Sequence, residues 1–127
     1  DSLDLGSRTD VRTNEVYILK HIHFQFDSYQ LLPSSFAELD FLISILKQHP
    51  QWKVQLSGHT DDQGSDDYNL MLSSNRAKSV GDYLSQHGIR TELIETLGFG
   101  KQRPLLSGNG EQARSLNRRV EVKFSDH

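Results

Sequence analysis

The stretch Trp52-Lys53-Val54-Gln55-Leu56-Ser57-Gly58-His59-Thr60-Asp61-Asp62-Gln63-Gly64 decides how the chain is put together. Trp52, Val54 and Leu56 alternate with Lys53, Gln55 and Ser57, which is the period of a strand that buries one face. The strand runs straight into a polar loop bounded by Gly58 and Gly64. Beyond the loop a long helix is expected from about Asp67 to His87, with Gly88 supplying the left-handed residue that stops it.

Further along, Leu93 to Leu97 reads as a short strand and Gly98 to Glu111 as a glycine-rich loop holding Pro104. Arg118 to Phe124 closes the chain as a strand with Val120, Val122 and Phe124 facing inward. Upstream, Ile18, Ile22, Phe24 and Phe26 share one parity, opposite Leu19, His21, His23 and Gln25, so a first strand with one apolar face is expected there. Pro33 breaks it. Ser35-Phe36-Ala37-Glu38 then has the spacing of a capping box, and Phe36, Leu39, Leu42, Ile43 and Leu46 follow at helical spacing until His49-Pro50. The expected fold is α+β, in the order β-α-β-α-β-β, with two long helices packed on one face of a four-stranded mixed sheet. Residues 1–14 show no period and read as a linker or N-terminal arm, leaving 15–127 as one domain.

The 127 residues are 35% hydrophobic and 24% charged, ordinary for a globular domain, and the formal charge of −3 gives no reason to expect nucleic acid. There is no cysteine, which excludes disulfides, thiolate metal sites and a thiol nucleophile. No stretch has the apolar length of a membrane-spanning helix. If the protein is exported, the leader and any membrane anchor are expected outside these residues.

Function is best sought where local rules fail. On a wheel of 100° per residue, from the helical repeat, Ala77, Val80, Tyr83 and Leu84 form one stripe. Asn69 and Arg76 fall on that same packing side, while Met71, Ser74, Asn75, Lys78, Asp82 and Ser85 face away. An unpaired buried guanidinium is costly, so Arg76 needs a carboxylate. Two arrangements satisfy it. Asp61 or Asp27 can pair with Arg76 and pin the loop to the helix. Alternatively, Asp61 and Arg76 form a split clamp for a zwitterion, Asp61 taking an ammonium and Arg76 a carboxylate through two parallel hydrogen bonds. Asn69, about 10 Å up the helix from Arg76, is in reach of the same ligand. Spacing alone leaves the two open.

Gly58-His59-Thr60-Asp61-x-x-Gly64, Asn69-x-x-Leu72-Ser73-x-x-Arg76-Ala77 and Asn117-Arg118-Arg119-Val120-Glu121 together resemble the OmpA C-terminal-like (OmpA/Pal/MotB-type) family. Phe24-x-Phe26-Asp27-Ser28 and Gly98-Phe99-Gly100 with Pro104 fit the same pattern, over roughly residues 16–124. The resemblance implies a periplasmic domain at the outer membrane of a Gram-negative envelope, which binds the peptide stem of peptidoglycan without cutting it and needs no cofactor. It implies that Asp61 and Arg76 grip the amino and carboxylate groups of diaminopimelate, with Asp27, Asn69 and Arg118 around the same pocket. Arg118 shares the inward parity of Val120, Val122 and Phe124, whereas Arg119 does not. An alternative is a module for homodimerisation or assembly of an envelope complex, with little direct wall binding.

Other chemistries are weaker. His21 and His23 on one strand face lack a third metal ligand at fixed spacing, and His59 fits better as a residue that orients the loop by a hydrogen bond. The carboxylates Asp61, Asp62, Asp66 and Asp67 do not have the spacing of a twelve-residue calcium loop, and Asp66-Asp67 suits a helix start. No serine sits in a nucleophile elbow, so no enzyme is expected.

Overall fold

Alternation builds the strand at the centre of the sequence: β2 is Lys53–His59, with Val54 and Leu56 buried. The computed structural model describes residues 4, 5, 10–108 and 110–126. In chain order the elements are β1 (Val16–Leu19), α1 (Phe36–Gln48), β2, α2 (Asp66–Gln86), β3 (Ile94–Gly98), α3 (Glu111–Asn117) and β4 (Arg119–Ser125). The four strands form one mixed sheet in the order β1-β4-β2-β3. β2 and β3 are parallel, and β4 runs antiparallel to both β1 and β2. In register, Val16 stands opposite Lys123 and Leu19 opposite Val120, while Gly58 also stands opposite Val120. The start of β1 and the end of β2 therefore lie at opposite ends of the sheet.

Tyr17, Leu19, Val54, Leu56, Val120, Val122 and Phe124 from the sheet close against Leu39, Leu42, Ile43 and Leu46 of α1 and Ala77, Val80 and Leu84 of α2. Burying a side chain of this size contributes about 1.5–3 kcal/mol each. The sheet plus α1 and α2 is the expected α+β arrangement. Gly58 and Gly98 are partners across β2 and β3. A Cβ on Gly58 would lie 2.2 Å from the Ser73 carbonyl oxygen, and one on Gly98 would lie 2.4 Å from the Ser74 nitrogen. The bare strand ends thus let the backbone of α2 rest directly on the sheet. Gly88, with φ +101°, ends the α2 region as expected.

Three expectations need correction. The inward face of β1 is Tyr17 and Leu19, not Ile18, and the strand stops before Lys20. Past that point the backbone is held by side chains: Glu38 Oε1 accepts from His21 N at 2.7 Å, and Ser35 Oγ accepts from His23 N at 2.7 Å. Residues 24–31 then fold into a hairpin in which Phe24 pairs with Leu31, leaving Phe26 at its tip 96% exposed. The same two contacts displace the capping box. Ser35 makes no cap to its own helix, which is entered through a tight turn at Pro33–Ser35. Finally, α3 occupies part of a stretch where only a loop and a strand were expected. Its seven residues bury a single apolar side chain, Ala113, and expose Leu116, so no helical stripe marks it.

Within the stretch read as a linker or arm, Leu5 is fully buried in the core and Asp4 bridges in parallel to Ile18. Residues 1–3 and 6–9 of that stretch lie outside the described residues.

Candidate functional site

Asp61 stands two residues past the end of β2, and its position follows from how the loop is tied. Thr60 N donates to the Gly100 carbonyl at 2.8 Å, and Gly100 N donates to Ser73 Oγ at 2.8 Å, which binds the loop to β3's exit and to α2. Asp61 Oδ1 accepts from Gln63 N at 3.0 Å, closing a turn on its own backbone. Asn69, almost fully buried, donates to the Gln63 carbonyl at 2.6 Å, so its side chain shapes the loop from behind. α2 itself begins with Ser65 as cap, its Oγ accepting from Tyr68 N, and with Asp66 and Asp67 in the first turn where the helix dipole favours them.

Asp61 Oδ2 accepts from Arg118 Nη1 at 2.8 Å, and Arg118 Nη2 donates to Glu111 Oε2 at 2.6 Å. Next to them Arg114 Nε donates to Asp62 Oδ1 at 2.9 Å. α3 therefore meets the loop through two ion pairs. Arg118 sits at the C-cap of α3, before β4 begins, so strand alternation does not set its direction.

The 24–31 hairpin forms the opposite wall, fastened to α2 at three points. Tyr68 OH donates to Asp27 Oδ1, Arg76 Nε to the Ser28 carbonyl at 2.8 Å, and Ser79 Oγ to the Tyr29 carbonyl at 2.6 Å. Asp27 has φ +51°, in the left-handed region that aspartate tolerates better than most residues. The Arg76 guanidinium lies over the Phe24 ring, 4.9 Å from its centre. No carboxylate among the described residues forms an ion pair with Arg76. The salt bridge from Asp61 or Asp27 to Arg76 that spacing left open is not formed: Asp61 is taken by Arg118 and Asp27 by Tyr68.

Between these walls lies an open cleft of about 960 Å³, and Asp27, Asp61, Asn69, Arg76 and Arg118 all line it. Burial pushes the pKa of Arg76 down, aided by nearby Arg118 and opposed by Asp27 and Asp61. The Glu111 and Asp61 hydrogen bonds raise that of Arg118 against its partial burial. A half-buried cation whose terminal nitrogens have no anionic partner is matched to a carboxylate arriving from solution.

Beneath the loop, on the sheet face away from the helices, His59 stacks on Phe99 with ring centres 5.3 Å apart. Its Nε2 is 3.3 Å from Glu121 Oε1 but out of line for a hydrogen bond, and Nδ1 has no partner. His59 thus supports the loop by stacking on Phe99, not by the expected hydrogen bond. Burial acts to raise the pKa of Glu121, but the His59 ring and the Arg119 guanidinium, bonded at 2.7 Å, outweigh it and bring the carboxyl down to about 2. Arg119 is almost entirely buried in that cluster. Among the described residues, no three His, Cys, Asp or Glu side chains are grouped to hold a metal ion. The sequence reading missed Glu111, Arg114 and the Ser28 carbonyl. The first two depend on α3, which leaves no pattern, and a carbonyl leaves no trace in side-chain spacing.

The family described as OmpA family matches residues 23–118. Among curated proteins, the peptidoglycan-associated lipoprotein of Pseudomonas aeruginosa is 41% identical over 101 residues, which make up 80% of this chain and 60% of that protein. The peptidoglycan-associated lipoprotein from Burkholderia pseudomallei has a solved structure with a TM-score of 0.75 at 34% identity, over 82% of this chain and 88% of that one. The periplasmic domain of Helicobacter pylori MotB shares the fold, with a TM-score of 0.76 at 18% identity, over 92% of this chain and 79% of that one.

Proposed function

We propose, on the premise that the chain belongs to the OmpA family, that it binds peptidoglycan without catalysis by gripping the diaminopimelate of the peptide stem. The names of its relatives point to the wall, and the state of Arg76 carries the step to diaminopimelate. This cation is half-buried in the cleft, steered by the Ser28 carbonyl and the Phe24 ring, and left without a carboxylate. In the proposed complex the ligand supplies that carboxylate. Its ammonium goes to Asp61, which keeps free acceptor positions after bonding Gln63 N and Arg118. Asn69 and Asp27 act through the loop and the hairpin that they hold. The setting is the periplasmic face of the outer membrane, where the domain anchors an envelope protein to the wall and many copies raise a modest single-site affinity.

Calorimetric titration of the chain with meso-diaminopimelate, beside pull-down on purified peptidoglycan, tests this. Arg76→Ala and Asp61→Ala each reduce affinity by about 30-fold or more, as expected for loss of one partner of a buried charge pair, with circular dichroism unchanged. Full binding by the double variant would overturn the clamp. Release of muropeptides by the wild-type chain would overturn the non-catalytic assignment.

A further inference from the structure

Three charged groups meet at one corner of the cleft: Asp61, Arg118 and Glu111. One guanidinium is shared by two carboxylates, so the triad carries one uncompensated negative charge. Neighbouring cations do not cancel it, because Arg114 is paired with Asp62 and Lys101 with Asp66, while Asp27, whose partner is the neutral Tyr68 hydroxyl, adds a negative charge of its own. The two carboxylates differ in surroundings. The side chain of Asp61 is 11% exposed and that of Glu111 is 73% exposed. Charge left on Asp61 acts in a low-dielectric pocket, whereas charge on Glu111 is screened by water.

We infer that Glu111 is a positioning residue that sets the specificity of the cleft for a ligand carrying an ammonium group. By taking Arg118 Nη2 on its own carboxylate it holds the guanidinium to a single bond with Asp61, which leaves the buried carboxylate available as an anion. With Arg76 also lining the cleft, the site is spatially divided, negative at Asp61 and positive at Arg76. That is the complement of a zwitterion. Removing Glu111 takes one negative charge away from the Asp61 end of the cleft. Arg118 is then free to turn both nitrogens on Asp61 or to meet a second ligand carboxylate, and the preference shifts from zwitterion to dianion. The inference rests on the proposed diaminopimelate site and names what tunes it.

Titrating the whole chain with meso-diaminopimelate and with pimelate, the same dicarboxylate without amino groups, separates the possibilities. Glu111→Gln weakens diaminopimelate binding by about three- to tenfold while pimelate binding holds or tightens, and Glu111→Asp recovers part of the loss. Equal diaminopimelate affinity in wild type and Glu111→Gln overturns the role of Glu111 and leaves the site standing. A parallel loss of both ligands also overturns it, as the mark of a merely structural contact. Absence of diaminopimelate binding by the wild type overturns the site itself, and the inference with it.

Discussion

Glu38 is a buried carboxylate and Glu121 a partly buried one, and their surroundings drive them in opposite directions. Glu121 is held at about 2 against an ordinary 4.5 by His59 and Arg119. A depressed carboxyl contributes stability that is complete above its unfolded value and lost as pH falls through its folded value. Acid unfolding followed by circular dichroism should therefore show stability falling between pH 4.5 and about 2, and Glu121→Gln should flatten that decline. Glu38 is raised by burial, its Oε2 has no partner, and only its Oε1 is used, by His21 N. Its sign is the reverse, since ionisation above the ordinary carboxyl range burdens the native state. Glu38→Gln keeps an acceptor for His21 and raises the melting temperature at neutral pH, with the gain fading in acid where the native side chain is protonated. Neither behaviour was legible in the sequence. Glu38 looked like half of a capping box because its spacing from Ser35 fits one, and nothing in spacing reveals that both side chains turn back to the 21–23 backbone. Arg76 was legible, because a cation on the apolar stripe of a helix is out of place wherever its partner comes from.

At the scale of elements, the glycine pair at the ends of β2 and β3 fixes the height of α2 above the sheet. Both walls of the cleft hang on that helix, through Asn69 to the loop and through Tyr68, Arg76 and Ser79 to the hairpin. Gly58→Ala forces a methyl into the Ser73 carbonyl, which cannot give way as a flexible side chain would. Overpacking of this kind costs about 1–3 kcal/mol or more. Chemical denaturation should show that loss, and titration should show weakened diaminopimelate binding even where the fold survives. α2 itself could be read from periodicity and from Gly88, because it is long and buries one continuous face. α3 could not, because a short helix gets its place from outside. Asn117 Oδ1 accepts from Leu105 N and Leu106 N, and its Nδ2 donates to the Leu106 carbonyl. Those bonds close the preceding loop, and no window around residues 111–117 contains their partners.

For the molecule as a whole, the number and order of the main elements followed from hydrophobic period, while the path of the 20–35 segment did not. Sheet period and apolar residues persist there, but its backbone is satisfied by the Ser35 and Glu38 side chains and by its own hairpin. Leu5 shows the same limit, since the few aliphatic residues of a polar stretch carry no period, yet it lies fully inside the core. Leu5→Ala should lower global stability by about 2–5 kcal/mol in urea unfolding, the usual range for an emptied leucine site. Ligand binding works in the other direction. Diaminopimelate at a hundredfold excess over its Kd should add about 2.7 kcal/mol to the same measurement, and Arg76→Ala should cut that increment to about 1 kcal/mol or less at the same ligand concentration. The register of β1 on β4 gives the fold a mechanical character as well. The start of β1 is opposite Lys123 at one end of the sheet, and the cleft opens beyond Gly58 and Val120 at the other. Tension drawn between Val16 and a ligand in the cleft runs along the strands, so it strains the rungs of the β1–β4 ladder together instead of peeling them one after another. Pulled along that line, the domain behaves as a lap joint, not as a zip.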